Sequence, residues 1–199
     1  MVLNKNLAAI LFDLDGTIFN LAVDWTKLAT QLDKFADKTT ESIATKIDTV
    51  FQLRIPEAVR LVENAEFAGV AAGAPTLGAA DVLQTLHGHF KIAVVTRNTR
   101  AVAEAALAEL SFVPDIIVSK EDVKKIKPDP ESIQTALKLL GVSANKVILV
   151  GDTYHDVQAA HNAGLSCIIV DNPALEYQPK DADLYIKTLY ELSDHLVEQ

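Results

Sequence analysis

Asp13 and Asp15 stand two residues apart at the end of the apolar run Leu7–Phe12, with Gly16 and Thr17 directly behind them. In an extended segment, residues two apart point to the same side. Two carboxylates on one side repel, so the pair is stable beside a cation or with one proton retained. Either condition serves phosphoryl transfer. One carboxylate can bind a metal and attack phosphorus, while the other keeps a proton for the leaving oxygen. Gly16 allows a sharp turn and a close approach of its N–H to a phosphate oxygen. An acid followed by glycine is also an ordinary turn, so the pair alone decides nothing.

Three further polar clusters follow apolar runs or lie in later loops. Gly151-Asp152-Thr153-Tyr154-His155-Asp156 comes directly after Val147–Val150. Asp152 is a plausible helix cap by itself, but with Asp13 and Asp15 it makes an oxygen-rich site of the kind Mg2+ prefers. Thr96-Arg97-Asn98 follows Ile92–Val95, and Lys127 precedes Pro128-Asp129-Pro130. Lys127 is a compact cation suited to neutralising phosphate, in a loop stiffened by two prolines. Taken singly, Thr96 reads as a strand-end residue and Lys127 as a solvated lysine beside Lys124 and Lys125. Arg97 either contacts phosphate or faces solvent. No Cys/His spacing suggests zinc.

These clusters need elements to bring them together. The runs Leu7–Phe12, Ile92–Val95, Ile116–Val118, Val147–Val150 and Cys167–Val170 read as strands buried on both faces. Helical patterns lie between them at Leu77–Leu86, Thr99–Leu110, Glu131–Leu140 and Tyr154–Ala163, and Asp183–Leu196 reads as a short strand (Leu184–Ile186) and a closing helix. The alternation predicts an α/β fold, a Rossmann-like three-layer sandwich with a central parallel sheet. In such a sheet ligands bind beyond the carboxyl ends of the strands, where all four clusters would converge. Residues 20–72 break the rhythm. Asp24–Phe35, Glu41–Phe51 and Pro56–Phe67 read as amphipathic helices, and Gly69–Pro75 as a hinge or linker. The expected domains are therefore a core of residues 1–19 with 73–199 and a small all-helical insert at 20–72.

Composition narrows the partners. The chain of 199 residues carries a formal net charge of -9 and a pI near 5.0. That makes nucleic acid and anionic membranes poor partners, and any phosphate site must be positive locally. The single cysteine, Cys167, permits no internal disulfide and fits a reducing compartment. The segment Met1–Asn6 offers no signal-peptide core, and no apolar stretch approaches the ~20 residues needed to span a bilayer. The expectation is a soluble cytoplasmic protein, monomer or homodimer.

In order and spacing the four clusters closely resemble the four motifs of the haloacid dehalogenase superfamily of phosphohydrolases, over essentially the whole chain. The insert after the first motif looks like the small helical cap of the phosphoglycolate phosphatase-like branch. The resemblance implies a Mg2+-dependent phosphatase acting on a small-molecule phosphate ester. By that resemblance Asp13 attacks phosphorus and forms an aspartyl phosphate, and Asp15 is the general acid/base. Asp13, Asp152 and the Asp15 backbone carbonyl hold the metal, with Asp156 supporting. Thr96 and Lys127 hold the phosphate, with the N–H groups near Gly16; Arg97 stands where many relatives have Asn directly after the Thr, and either adds a phosphate contact or faces solvent. Asp15 argues against the dehalogenases, which lack that residue. A phosphomutase of the β-phosphoglucomutase type uses the same acids and is the alternative, with a non-catalytic regulatory protein on the same fold behind it. Trp25 reads as packing between cap and core, Arg54 and Arg60 as solvated, and Cys167 as an inert core residue. His155 is a possible substrate contact; His87, His89, His161 and His195 show no ligand spacing.

Overall fold

The computed structural model describes residues 6–35 and 42–197. The expected leader-free segment up to Lys5 and Glu41, the first residue of the second expected helix, lie outside the described residues. The chain divides into two compact units, one of Met1–Asn20 with Ala74–Gln199 and one of Leu21–Gly73.

The first unit is built on a parallel sheet. Its strands are β1 (Ala9–Phe12), β4 (Lys91–Val95), β5 (Ile116–Val118), β6 (Val147–Gly151), β7 (Ser166–Val170) and β8 (Leu184–Ile186), in the order β5-β4-β1-β6-β7-β8. β1 lies in the interior of the sheet, pairing with β4 and β6. That explains its unbroken apolar sequence: both faces are covered, and Ala9, Ile10, Leu11 and Phe12 are fully buried. Burying such a large side chain contributes about 1.5–3 kcal/mol.

Helices cover the sheet. Ile133, Ala136 and Leu140 of α6 (Glu131–Leu140) and Val157, Ala159 and Ala160 of α7 (Tyr154–Asn162) pack with Ala9, Leu11, Ala93, Val95, Leu149, Cys167 and Ile169. These strand residues alternate along their strands and so mark one face. Helices α4 (Ala79–His87) and α8 (Leu189–Val197), which take no part in that cluster, pack on each other and against β4 and β8 respectively. Helix α5 (Arg100–Glu109) starts at Thr99, whose hydroxyl accepts the Val102 N–H at 3.4 Å. The architecture is the expected Rossmann-like sandwich. No helix among the described residues is long and apolar enough to cross a membrane.

The second unit is helical: α1 (Trp25–Leu32), α2 (Ile43–Gln52) and α3 (Pro56–Ala72). Asp24 caps α1 through the Lys27 N–H, Ser42 caps α2 through the Thr45 N–H, and Pro56 opens α3 at its first turn. Leu28, Leu32, Val50, Ala58 and Val62 form its core, and Trp25 packs against this cluster. Lys46 pairs with Asp33 beside it. Arg54 and Arg60 are exposed.

One expectation fails here. Gly69–Pro75 is not an irregular linker, because α3 continues through Gly69 to Ala72. The reason is tertiary: a Cβ at Gly69 would lie 2.4 Å from Val23 Cγ2, and the Gly69 carbonyl accepts the Ala22 N–H at 3.0 Å. Gly69 is a packing residue inside a helix. Beyond it, β3 (Ala74–Pro75) pairs antiparallel with β2 (Phe19–Asn20), a two-residue ladder that the apolar pattern does not announce.

Candidate active site

Strand register sets the level of the polar residues. Phe12 pairs with Val94 on one side and Val150 on the other. Asp13 therefore follows β1 at the height where β4 and β6 also end. Thr96 and Asp152 each lie one step further along their own strands. The Asp13 N–H still donates to Val150 O at 2.9 Å, and the Thr96 N–H to Val118 O at 2.9 Å, so the ladder holds both residues at the sheet edge.

Lys127 links the clusters. Its ammonium lies 2.8 Å from Asp13 Oδ1 and 2.7 Å from Asp156 Oδ1, and it donates to Val95 O at 3.0 Å. The three N–H donors of an ammonium thus meet three acceptors on three segments. Lys127 is buried. Burial alone would lower its pKa, but Asp13 and Asp156 outweigh burial and hold it above the ordinary lysine value. It is a fixed cation.

Asp156 is completely buried, with both oxygens engaged. Oδ1 accepts from Lys127; Oδ2 accepts the Thr153 hydroxyl at 2.7 Å and the Thr153 N–H at 3.1 Å. The same bonds form the capping box that starts α7. Burial opposes its ionisation, yet Lys127 and Thr153 together hold its carboxyl below the usual range.

Asp13 and Asp152 behave in the opposite way. Burial is the largest influence on Asp13 and raises its carboxyl, against the pull of Lys127. Asp152 is pushed up to about 8, first by burial and then by the carboxylates of Asp156 and Asp13. Its oxygens are met by neutral donors: Asn172 Nδ2 at 2.7 Å on Oδ2 and Thr17 Oγ1 at 3.3 Å on Oδ1. Asp13, Asp152 and Asp156 each offer an oxygen within 4.8 Å of the others. A concentration of hard oxygen donors, one member of which resists ionisation in the absence of a cation, fits Mg2+.

The remaining expected residues are placed as follows. Asp15 is half-buried, bridges to Phe19 through its backbone, and adds to the negative field at Asp152. Thr96 is buried; its hydroxyl donates to Asn98 Oδ1 at 2.8 Å and accepts the Asn98 N–H at 3.1 Å. Arg97 is half-buried. Burial, and next the Arg97 charge, push His155 down to about 4, so that ring is neutral at physiological pH. His155 also stacks on Tyr154 with ring centroids 4.0 Å apart. His87 and His161 instead face Asp115 and Asp183.

Gly16 requires a correction. Its N–H does not point to a phosphate but donates to Phe19 O at 2.8 Å, closing the turn. Its value is space and a left-handed backbone: φ is +82°, and a Cβ would fall 2.2 Å from Asp152 Oδ2. Two residues at the site escaped the sequence reading. Thr17 was visible inside the first motif but has no charge to draw notice. Asn172 follows the run Cys167–Val170, a strand end not read for chemistry although the rule that placed the other clusters applied to it.

Known proteins agree with this architecture. The haloacid dehalogenase-like hydrolase family matches residues 10–170. A phosphoglycolate phosphatase of Cupriavidus necator is 30% identical over 81% of this chain and 80% of its own length. The pyrophosphatase PpaX of Halalkalibacterium halodurans is 36% identical over 48% of this chain. The chain spans only about half the length of that relative, 46%. Among solved structures, a predicted phosphoglycolate phosphatase from Haemophilus somnus superposes with a TM-score of 0.74 at 16% identity, covering 98% of this chain and 99% of its own, and so shares the fold. With the family match running from the first strand of the sheet to the fifth of its six in chain order, this chain belongs to the haloacid dehalogenase-like hydrolases.

Proposed function

We propose that this protein is a Mg2+-dependent phosphatase that hydrolyses a small phosphate ester through an aspartyl-phosphate intermediate on Asp13. The observation that carries this reading is the position of Asp13: a carboxylate at the sheet edge, 2.8 Å from a fully committed lysine and grouped with Asp152. Asp13, Asp152 and the Asp15 backbone carbonyl would hold Mg2+, which supplies positive charge for the phosphoryl oxygens.

The chain's own residues account for the remaining chemistry. Asp13 attacks phosphorus in line, and the leaving oxygen takes a proton from Asp15. Asp15 then removes a proton from the water that cleaves the acyl phosphate, returning Asp13 to its carboxylate. Lys127 offsets charge on the phosphoryl group as it passes to Asp13, which suits a cation that does not need to move. Arg97, just past the end of β4, supplies guanidinium donors to phosphoryl oxygens, and the Thr96 hydroxyl joins it by turning its one proton away from Asn98 Oδ1. Asp156, with both oxygens spent, fixes Lys127 in place, and Gly16 leaves the room in which Asp152 sits.

The test is phosphate release from a panel of phosphate monoesters and anhydrides, with 2-phosphoglycolate and pyrophosphate included because relatives carry those names. Release is expected with millimolar Mg2+, its loss on adding EDTA, and its return with excess Mg2+. Activity that persists in EDTA would sink the metal reading. A hexose 1-phosphate belongs in the panel, since isomerisation without free phosphate would favour a mutase. Gly16→Ala is a second check. A Cβ there strains the backbone by about 1–2 kcal/mol and drives the Asp152 carboxylate away. Turnover is expected to fall by roughly 10²-fold, the scale of a misplaced catalytic group. Unchanged turnover would show that Asp152 need not lie where it does.

A further inference from the structure

β7 ends at Val170, and Asn172 follows in the loop beyond it. Its Nδ2 donates to Asp152 Oδ2 at 2.7 Å, while its Oδ1 accepts the Ala174 N–H at 3.0 Å. Its backbone carbonyl accepts the Leu175 N–H at 3.0 Å. A backbone N–H can only donate, so Ala174 claims the oxygen end of the amide and the nitrogen end must face Asp152. The loop, not the carboxylate, sets the direction of this donor. Gly16 leaves the amide its room: a Cβ there would lie 2.6 Å from Asn172 Nδ2.

The two acids held by Lys127 have a cation beside them. Asp152 is held differently, by an amide and a hydroxyl. A neutral donor fixes the plane of a carboxylate and occupies one lone pair without cancelling its charge. Carboxylates that bind metals are commonly oriented in this way. Asp152 and Asn172 also line one cavity of about 270 Å3 together with Tyr177 and Pro179, which is ample room for water.

We infer that Asn172 is a positioning residue for divalent-cation binding: its amide holds Asp152 Oδ2 and presets that carboxylate to receive the metal. The inference rests on the metal reading proposed above.

Mn2+ is the probe, titrated by calorimetry into the full chain without substrate. Asn172→Ala is expected to weaken Mn2+ binding by about 10-fold or more, the usual cost of losing a partner of a metal ligand. Asn172→Ser should weaken it similarly. Its shorter hydroxyl can still accept from Ala174 and keep the turn, but does not reach Asp152. Melting temperatures in metal-free buffer should change little, and saturating Mn2+ should restore most of the phosphate release of either variant. Unaltered Mn2+ affinity in a folded Asn172→Ala or Asn172→Ser protein overturns the inference. Failure of the unsubstituted protein to bind Mn2+ overturns the metal reading, and this inference with it.

Discussion

Asp13→Asn is expected to lower phosphate release by at least ~10³-fold, in keeping with losses on removing a covalent nucleophile. That is about 4 kcal/mol of transition-state stabilisation. The substitution keeps the shape of the side chain and removes its nucleophilic oxygen and its charge. It should not unfold the protein. Lys127 keeps Asp156 and Val95 O as partners, and Asp13 is an acid whose ionisation burial already opposes. In metal-free buffer the thermal midpoint is therefore expected to stay the same or rise slightly. Loss of turnover together with an intact melting curve separates a chemical role from a structural one. A folded Asp13→Asn protein with ordinary turnover would remove Asp13 from the chemistry.

Lys127→Met should show the opposite balance, with a large loss of stability as well as of activity. The ammonium is buried against Asp13, Asp156 and a backbone carbonyl. Removing it leaves two buried carboxylates without a cation, and breaking a buried pair from one side costs about 3–5 kcal/mol. For a chain of this size that is a fall of roughly 10 °C in the thermal midpoint. Adding Asp13→Asn to Lys127→Met removes one of the stranded charges and should recover part of the loss. The double-mutant cycle measures the coupling. Strict additivity of the two changes would mean that the ion pair contributes nothing to the folded state.

Much of the architecture was legible because the sheet is covered on both sides. A strand buried on both faces must be a continuous apolar run, and the runs read at 7–12, 92–95 and 147–150 carry β1, β4 and β6, whose apolar residues are buried. The site was legible as far as it consists of charged residues at the ends of such runs. Asp13, Thr96 and Asp152 come within one residue of a common level because of strand register, which follows from the fold. What escaped depends on contacts distant in sequence. Gly69 looks like a break in one dimension, but Val23 makes it the residue that fits inside a helix. The Gly16 N–H looks available until the turn returns Phe19 O to it. Asn172 is an ordinary loop residue until packing sets its amide on Asp152. Asp156 can be read as an oxygen for metal, yet its hydrogen bonds divide it between a helix cap and a lysine.

The interior place of β1 has a consequence for how the protein is made. Its partners are β4 and β6, with Ala9 set against Lys91 and Val147. A ribosome releases β1 well before either neighbour exists. At ~5–20 residues per second, the nascent chain carries the uncovered segment Ala-Ile-Leu-Phe for on the order of ten seconds before β6 emerges. During that interval the most buried strand of the finished sheet is an open apolar edge, the stretch that a chaperone would be expected to shield.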